Sequence, residues 1–215
     1  MGTLRARTDE EFAARKKEIL TAAKEQLLTM EYEAVTLATI AKKTSISRTS
    51  MYNYYEKKEA VFVDLMIQEY CELEQQLEPL LEKRRSRRQF CKEVTDILWQ
   101  HEPLLKLLSL QFPIWDNKYD DPIIVYFAKE TQQFQKKLKE VIAFNFPDSK
   151  NKDRNMFLIQ FSMYCNSLYE TKYVLRDQMN AMSEMCLFDS IPSAEKICFD
   201  GLMKLSADLV KKTTS

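Results

Sequence analysis

The sequence predicts an all-α protein of about nine helices, with a small N-terminal unit followed by a larger helical bundle. Three observations carry that prediction. Only Gly2 and Gly201 are glycines among 215 residues, whereas β-hairpins draw on glycine-containing turns. Leu, Lys, Glu, Gln and Ala, all good helix formers, are abundant. Apolar residues also recur at spacings of three and four through most of the chain. The composition, 45% apolar and 30% charged, is that of a globular chain long enough to bury a core.

The elements follow in order. Phe12, Ile19, Ala23 and Leu27 share one face of a first helix over about Asp9–Thr29, with acids in its first turn. Two short helices fill Thr36 to about Tyr55. A long helix runs from about Lys58 to Glu78 on Val61, Leu65, Tyr70 and Leu73, and Pro79 ends it. The basic run Lys83–Arg88 reads as a solvated patch or as a contact with DNA flanks, and precedes a helix ending near Gln100. Pro103 fits the first turn of the next helix, which stops before Pro113. Trp115–Asp121 is a loop, either an ordinary one or a lid. Asp120-Asp121-Pro122 then starts a helix that ends at Phe146-Pro147. Another spans about Asp153–Gln178, with Phe157, Phe161, Tyr164, Leu168 and Leu175 as its stripe. After a loop at Met179–Ile191, Pro192 opens the last helix, whose stripe is Ile197, Cys198, Gly201, Leu202, Leu205 and Leu209. The expected domains are 1–57 and 58–215.

Composition excludes whole classes of chemistry. Phosphate-cradling loops and dinucleotide fingerprints need clustered glycines. With His101 as the lone histidine, zincin and di-iron helical sites are out. No enzyme activity, metal or cofactor is therefore expected. Cys71, Cys91, Cys165, Cys186 and Cys198 are odd in number and never form Cys-x-x-Cys, as expected of reduced, mostly buried thiols. No apolar run approaches ~18 residues, and the charged N-terminus has no signal-peptide core. The expected location is the cytoplasm.

The stretch Thr36–Lys58, TLATIAKKTSISRTSMYNYYEKK, is the informative one. Thr36 suits the N-cap of a helix through about Lys43, and Ser47 suits the N-cap of a second helix from Arg48. The short link between them forces a sharp angle, which is the helix-turn-helix arrangement. Ile40 and Ala41 face inward, Ile46 plugs the turn, and Met51 with Tyr54 or Tyr55 faces back. Arg48, Thr49, Ser50, Tyr52 and Asn53 face outward, as short or planar donor groups that can approach base edges and phosphates. Lys58 lies close by, where a cation can meet a phosphate. Residues 1–58 hold 11 Lys/Arg against 8 Asp/Glu, a weak basic excess.

These residues carry a resemblance. Lys17–Leu27 (KEILTAAKEQL), Val35-Thr36-Leu37, Ile40-Ala41, Ile46-Ser47 and Met51–Val61 (MYNYYEKKEAV) are similar to the N-terminal domain of the tetracycline-repressor (TetR-type) family, over about residues 10–65. The resemblance implies a three-helix DNA-binding domain on a helical ligand-binding and dimerisation domain. It implies phosphate contacts by Thr36, Tyr52 and Lys58, base proximity for Arg48, Thr49 and Ser50, and a groove-edge position for Asn53. Ser47 and Tyr54 complete the candidate DNA-binding set. The chain departs from the family pattern at Ser45, where glycine is common, and at Thr44, where a small apolar residue is usual. Serine can hold a turn by side-chain to backbone bonding.

The C-terminal aromatics either pack a core or line a cavity for an apolar or aromatic ligand. The candidate ligand set is Trp99, His101, Trp115, Tyr126, Phe127, Phe161, Tyr164 and Cys165. His101 is expected at a partly exposed helix end. Gly201 sits on an apolar stripe, where glycine costs about 1 kcal/mol relative to alanine. That cost points to a close helix approach, either within the chain or across a dimer. The candidate dimer set is Phe157, Leu168, Cys198, Gly201, Leu202, Leu205 and Leu209. The expected function is a homodimeric transcriptional repressor on a near-palindromic double-stranded DNA operator, released by a small-molecule effector. The alternatives are a regulator of the same fold controlled by a protein partner, and a small helical enzyme.

Overall fold

The computed structural model describes residues 2–110, 122–173, 178, 180–182 and 192–210, and every regular element among them is helical. In chain order these are α1 (Gly2–Thr29), α2 (Leu37–Ala41), α3 (Arg48–Met51), α4 (Lys58–Leu77), α5 (Arg87–Gln100), α6 (Glu102–Ser109), α7 (Pro122–Glu130), α8 (Gln132–Asn145), α9 (Asn151–Cys165), α10 (Leu168–Tyr173) and α11 (Ala194–Leu205). Three 3-10 turns join them, at Tyr32–Ala34, Glu78–Leu81 and Ala207–Leu209. No described helix is long and apolar enough to cross a membrane. Among the described cysteines no disulfide forms; Cys91, Cys165 and Cys198 are buried and Cys71 is exposed. Cys186, Trp115–Asp121 and most of the expected Met179–Ile191 loop lie outside the described residues, and 180–182 are helical.

Hydroxyl caps set several of the boundaries. Thr36, Ser47, Ser86 and Ser193 each accept a backbone N–H from the residue three positions on, at the starts of α2, α3, α5 and α11. Each such cap is worth about 1 kcal/mol. α1 starts at Gly2, before the expected Asp9. The residues ahead of Asp9 include Arg5, Ala6 and Arg7, all good helix formers, so the acids lie inside the helix. Two expected long helices are each divided. α7 and α8 break at Thr131, whose φ and ψ of −89° and 3° leave the helical region. α9 and α10 break after Cys165, where the Ser167 hydroxyl donates to the Tyr164 carbonyl at 2.8 Å, a back-bond that competes with the helical ladder.

The chain divides into two compact units. The described residues up to 69 join 122–130, and those of 70–110 join the described residues from 131 onward. The expected boundary at 57/58 therefore moves along α4, because Val61, Phe62, Leu65 and Met66 are core residues of the first unit.

In the second unit α11 packs along α5. Arg87 donates to the Met203 carbonyl at 3.0 Å, and Cys91 Sγ lies 3.3 Å from Ser206 Oγ. Buried Asn145 is fully used. Its amide donates to the carbonyls of Leu80 and Val141, both at 2.9 Å, and its oxygen accepts the Arg85 N–H at 3.0 Å. The basic run is thus partly built into the fold rather than only solvated. Arg85 also pairs with Glu93 at 2.9 Å, Arg84 lies over Phe144, and Arg88 lies over Phe199.

Gly201 finds its reason here. The Tyr164 hydroxyl donates to the Ile197 carbonyl at 3.0 Å, and a Cβ at Gly201 would overlap the Tyr164 hydroxyl and lie 2.5 Å from its Cζ. The close approach is intramolecular, of α9 on α11. Gly201→Ala is expected to destabilise the protein by about 1–3 kcal/mol in urea unfolding, the range for an overfilled core. Trimming the tyrosine in Gly201→Ala/Tyr164→Ala should remove most of that clash.

Candidate nucleic-acid interface

A four-residue helix has no stability of its own, so α3 must be held from outside. Met51 at its end is fully buried, together with Ile40, Ala41 and Ile46, as the sequence pattern requires. Such side chains contribute about 1.5–3 kcal/mol each when fully buried. The Ser47 hydroxyl accepts Ser50 N–H at 3.0 Å and lies 2.8 Å from the Ser50 hydroxyl. Thr36 and Thr39 form a reciprocal capping box at α2, and Gln26 of α1 grips Thr39 through its hydroxyl (2.8 Å) and carbonyl (2.7 Å).

The turn between α2 and α3 is clasped from α1. Glu18 accepts the Ser45 N–H at 2.5 Å and the Ser45 hydroxyl at 3.0 Å. Arg15 bonds both Glu18, at 3.1 Å, and the Ser45 hydroxyl. The serine that stands where glycine is common is therefore the handle of this clasp. No short-range signal marks Glu18, which lies 27 residues from its partner. The Ser45 amide above all, then the Arg15 guanidinium and the Ser45 hydroxyl, hold the Glu18 carboxyl below the usual glutamate range.

With the caps occupied, the outward groups separate into two sets. Arg48, Thr49, Tyr52 and Asn53 are exposed, and Tyr52 leaves 54% of its surface open. Thr36 and Ser47 are also exposed, with their hydroxyls engaged as caps. Ser50 is half-buried and tied to Ser47. Tyr54 stacks on Phe12, with ring centroids 4.8 Å apart, which leaves Phe12 at a half-open edge of the unit and not in its core. Lys58 donates to the Tyr32 carbonyl at 2.7 Å and lies 4.1 Å over the Tyr32 ring, so its ammonium already has partners within the fold.

The expected ligand residues do not form one group. Phe161 and Cys165 line a cavity of about 70 Å³ in the second unit, with Tyr70, Leu104, Gln135 and Ser162 among its other walls. A second, smaller cavity of about 20 Å³ shares Leu73, Leu98, Phe134, Leu138 and Phe161 with it. Tyr164 is committed to Gly201 and Ile197. Trp99 packs under the Lys172 ammonium at 5.7 Å. His101 is buried at the elbow between α5 and α6, where α5 ends and Pro103 starts the next turn, and not partly exposed. Tyr126 and Phe127 belong to the first unit, and Trp115 lies outside the described residues. Phe157, Leu168, Cys198, Leu202 and Leu209 of the expected dimer set are buried within the protomer, with Gly201 and Leu205 partly so. Met156, Ile159 and Met163 of α9 form an exposed apolar face among the described residues.

The arrangement is a helix-turn-helix DNA-binding unit joined to an all-α second unit. Residues 19–65 match the sequence model of a family described as bacterial regulatory proteins, tetR family. Among solved structures the chain is similar to FadR of Thermus thermophilus, a TetR-family repressor in complex with lauroyl-CoA, at TM-score 0.58 and 17% identity over 94% of this chain and 98% of that one. It is also similar to the fatty acid degradation regulator FadR of Bacillus halodurans, at 0.56 and 12% over 89% and 97%. A TetR-family regulator described for Mesorhizobium loti is similar at 0.54 and 16% over 91% and 96%. No curated protein matches by sequence. Residues 19–65 thus carry the sequence pattern of the tetR-family N-terminal domain, and the fold of the chain is that of TetR-family regulators.

The clasp has a pH signature. A carboxyl whose folded pKa is depressed stabilises the fold above its unfolded value, here 4.5. That contribution is lost as pH falls through the lower folded value. The thermal midpoint of the wild type should therefore exceed that of Glu18→Gln by less at about pH 3 than at about pH 7; a constant difference would show that the Glu18 charge is not what holds the turn.

Proposed function

We propose that the protein is a homodimeric transcriptional repressor that reads a near-palindromic operator and is released by a small apolar ligand. The observation that carries the reading is the α3 surface: Arg48, Thr49, Tyr52 and Asn53 stand exposed, while the other hydroxyls of the motif are spent on caps. Arg48 is the group able to form a bidentate bond to a guanine edge. Tyr52 and Asn53, with the Thr36 end of α2, are placed to fix register on phosphates. The protein acts by binding and not by catalysis, and a cytoplasmic location suits a DNA partner.

Dimerisation is assigned to α9. Met156, Ile159 and Met163 leave 49%, 56% and 68% of their surfaces open, and their spacing of three and four puts them on one face. Two such faces, one from each protomer, bury each other about a two-fold axis. The ligand is assigned to the paired cavities of the second unit, which are apolar except for Tyr70, Gln135, Ser162 and Cys165 at one end. An elongated apolar molecule with one polar end fits that lining. The lauroyl-CoA bound by the similar Thermus regulator has that character. The larger cavity is about half the ~150 Å³ void that accepts benzene in an engineered core, so entry must displace side chains. Tyr70, Leu73 and Leu77 of α4 are among them, and moving α4, whose first residue is Lys58, is how binding would reach the reading head. One observation, the small size of these cavities, favours the second reading, a regulator of the same fold under a protein partner.

Selection from a random duplex pool should yield a two-fold symmetric motif with half-site centres one turn, roughly 34–36 Å, apart. Arg48→Ala should relax discrimination at one position per half-site by about 1–3 kcal/mol. Failure to enrich any sequence would defeat the proposal, and an asymmetric motif would defeat its dimeric part. In sedimentation, Met163→Glu should shift the protein from dimer to monomer without lowering its helix content. Titrating the DNA complex with medium-chain acyl thioesters separates the two modes of control, since release by none of them favours the protein partner.

A further inference from the structure

One carboxylate in the first unit gathers four elements. Asp64 of α4 is nearly buried, with 14% of its side chain exposed, and its Oδ2 lies 2.9 Å from the Lys16 ammonium of α1. The same oxygen accepts the Tyr55 hydroxyl at 2.8 Å, and Oδ1 accepts the Tyr126 hydroxyl of α7 at 3.1 Å. Lys16 also lies 5.1 Å from the centre of the Tyr55 ring. Tyr55 is the buried residue that closes the recognition segment. Its N–H donates to the carbonyl of Met51, the last residue of α3, at 3.1 Å. The Tyr55 phenol and α3 are therefore fixed to each other, and Asp64 fixes the phenol.

We infer that Asp64 is a positioning residue for DNA reading, its carboxylate coupling α7 to the end of the recognition helix so that the pose of α3 follows the seating of α7. Two features of α7 suit it to this role. None of its nine residues is buried, and Val125 and Tyr126 leave 70% and 42% of their surfaces open, so α7 is an element held lightly enough to be released. After Thr131 it is followed at once by α8, whose Phe134, Gln135 and Leu138 line the larger of the two adjoining apolar cavities. A side-chain displacement on α8 then has a short covalent path to Tyr126, and from there hydrogen bonds to Asp64 and Tyr55. The two oxygens divide the work: Oδ2 holds the reading head to α1, while Oδ1 is given to α7.

This inference rests on the reading of α3 as the DNA-contacting helix, and its test has an arm that needs no DNA. Tyr126→Phe removes one hydroxyl from an exposed ring and leaves the Lys16 and Tyr55 contacts in place. Hydrogen exchange of amides 48–55 should rise by about threefold or more, with α9 and α11 unchanged. Affinity for the selected duplex should fall severalfold with its salt dependence unaltered, because no phosphate contact is touched. Added to Asp64→Leu, which leaves the Tyr126 hydroxyl no acceptor at this position, Tyr126→Phe should cause no further change, since the two share one bond. Unchanged exchange over 48–55, or a uniform rise across both units with a lower thermal midpoint, would overturn the coupling. Should Asp64→Leu fail to fold, the single Tyr126→Phe measurement decides alone. If the wild type selects no DNA, the repressor reading fails while the exchange arm still decides whether Asp64 couples α7 to α3.

Discussion

A tight turn decides which way the outward side chains of α3 point. Residues 42–47 must hold α3 at a fixed angle to α2, although α3 has only one helical turn and cannot persist alone. Three constraints do this together. Met51 and Ile46 are driven into the core, Ser47 satisfies the exposed N–H of Ser50, and Glu18 reaches from α1 to clasp Ser45. The first sets the depth of the helix, the second its starting residue, the third its tilt. Each is modest in energy. Their value is that they leave Arg48, Thr49, Tyr52 and Asn53 no alternative but to face outward.

This is also where the sequence was most legible. Inward Ile40, Ala41, Ile46 and Met51, the caps at Thr36 and Ser47, and the helix start at Pro122 are local patterns, written in neighbouring residues, and the structure places each as expected. Long-range partners were not legible. Nothing near Ser45 announces Glu18, and nothing near Asp64 announces Tyr126. Periodicity finds an apolar face but does not say what covers it. Phe157, Cys198 and Leu202 read equally well as a dimer seam, yet they pack inside the protomer. Met156, Ile159 and Met163 of α9 stand exposed beside the buried Phe157 and Phe161, and spacing alone does not tell the two sets apart. Gly201 was a sound signal of close approach, with Tyr164 of the same chain as the neighbour.

The second unit suggests how a nearly full core can serve as a switch. Five side chains, Leu73, Leu98, Phe134, Leu138 and Phe161, separate two small voids. A close-packed interior responds to an inserted group by shifting whole elements, and the elements bordering these voids include α4 and α8. α4 begins beside the recognition segment, and α8 follows α7 after a single residue. Under the proposed function, an occupant alters DNA binding without touching the DNA when its affinity differs between two arrangements of these elements; a useful coupling is about 1–3 kcal/mol.

One face of α3, with its neighbours, is the surface proposed to meet DNA. Hydroxyl-radical footprinting of the protein's side chains, with and without a bound duplex, tests it most directly. With α3 against the duplex, Tyr52 should be strongly protected and Arg48 and Thr36 more weakly, while oxidation of the buried Met51 stays unchanged. Unprotected Tyr52 with protection confined to the second unit would contradict it.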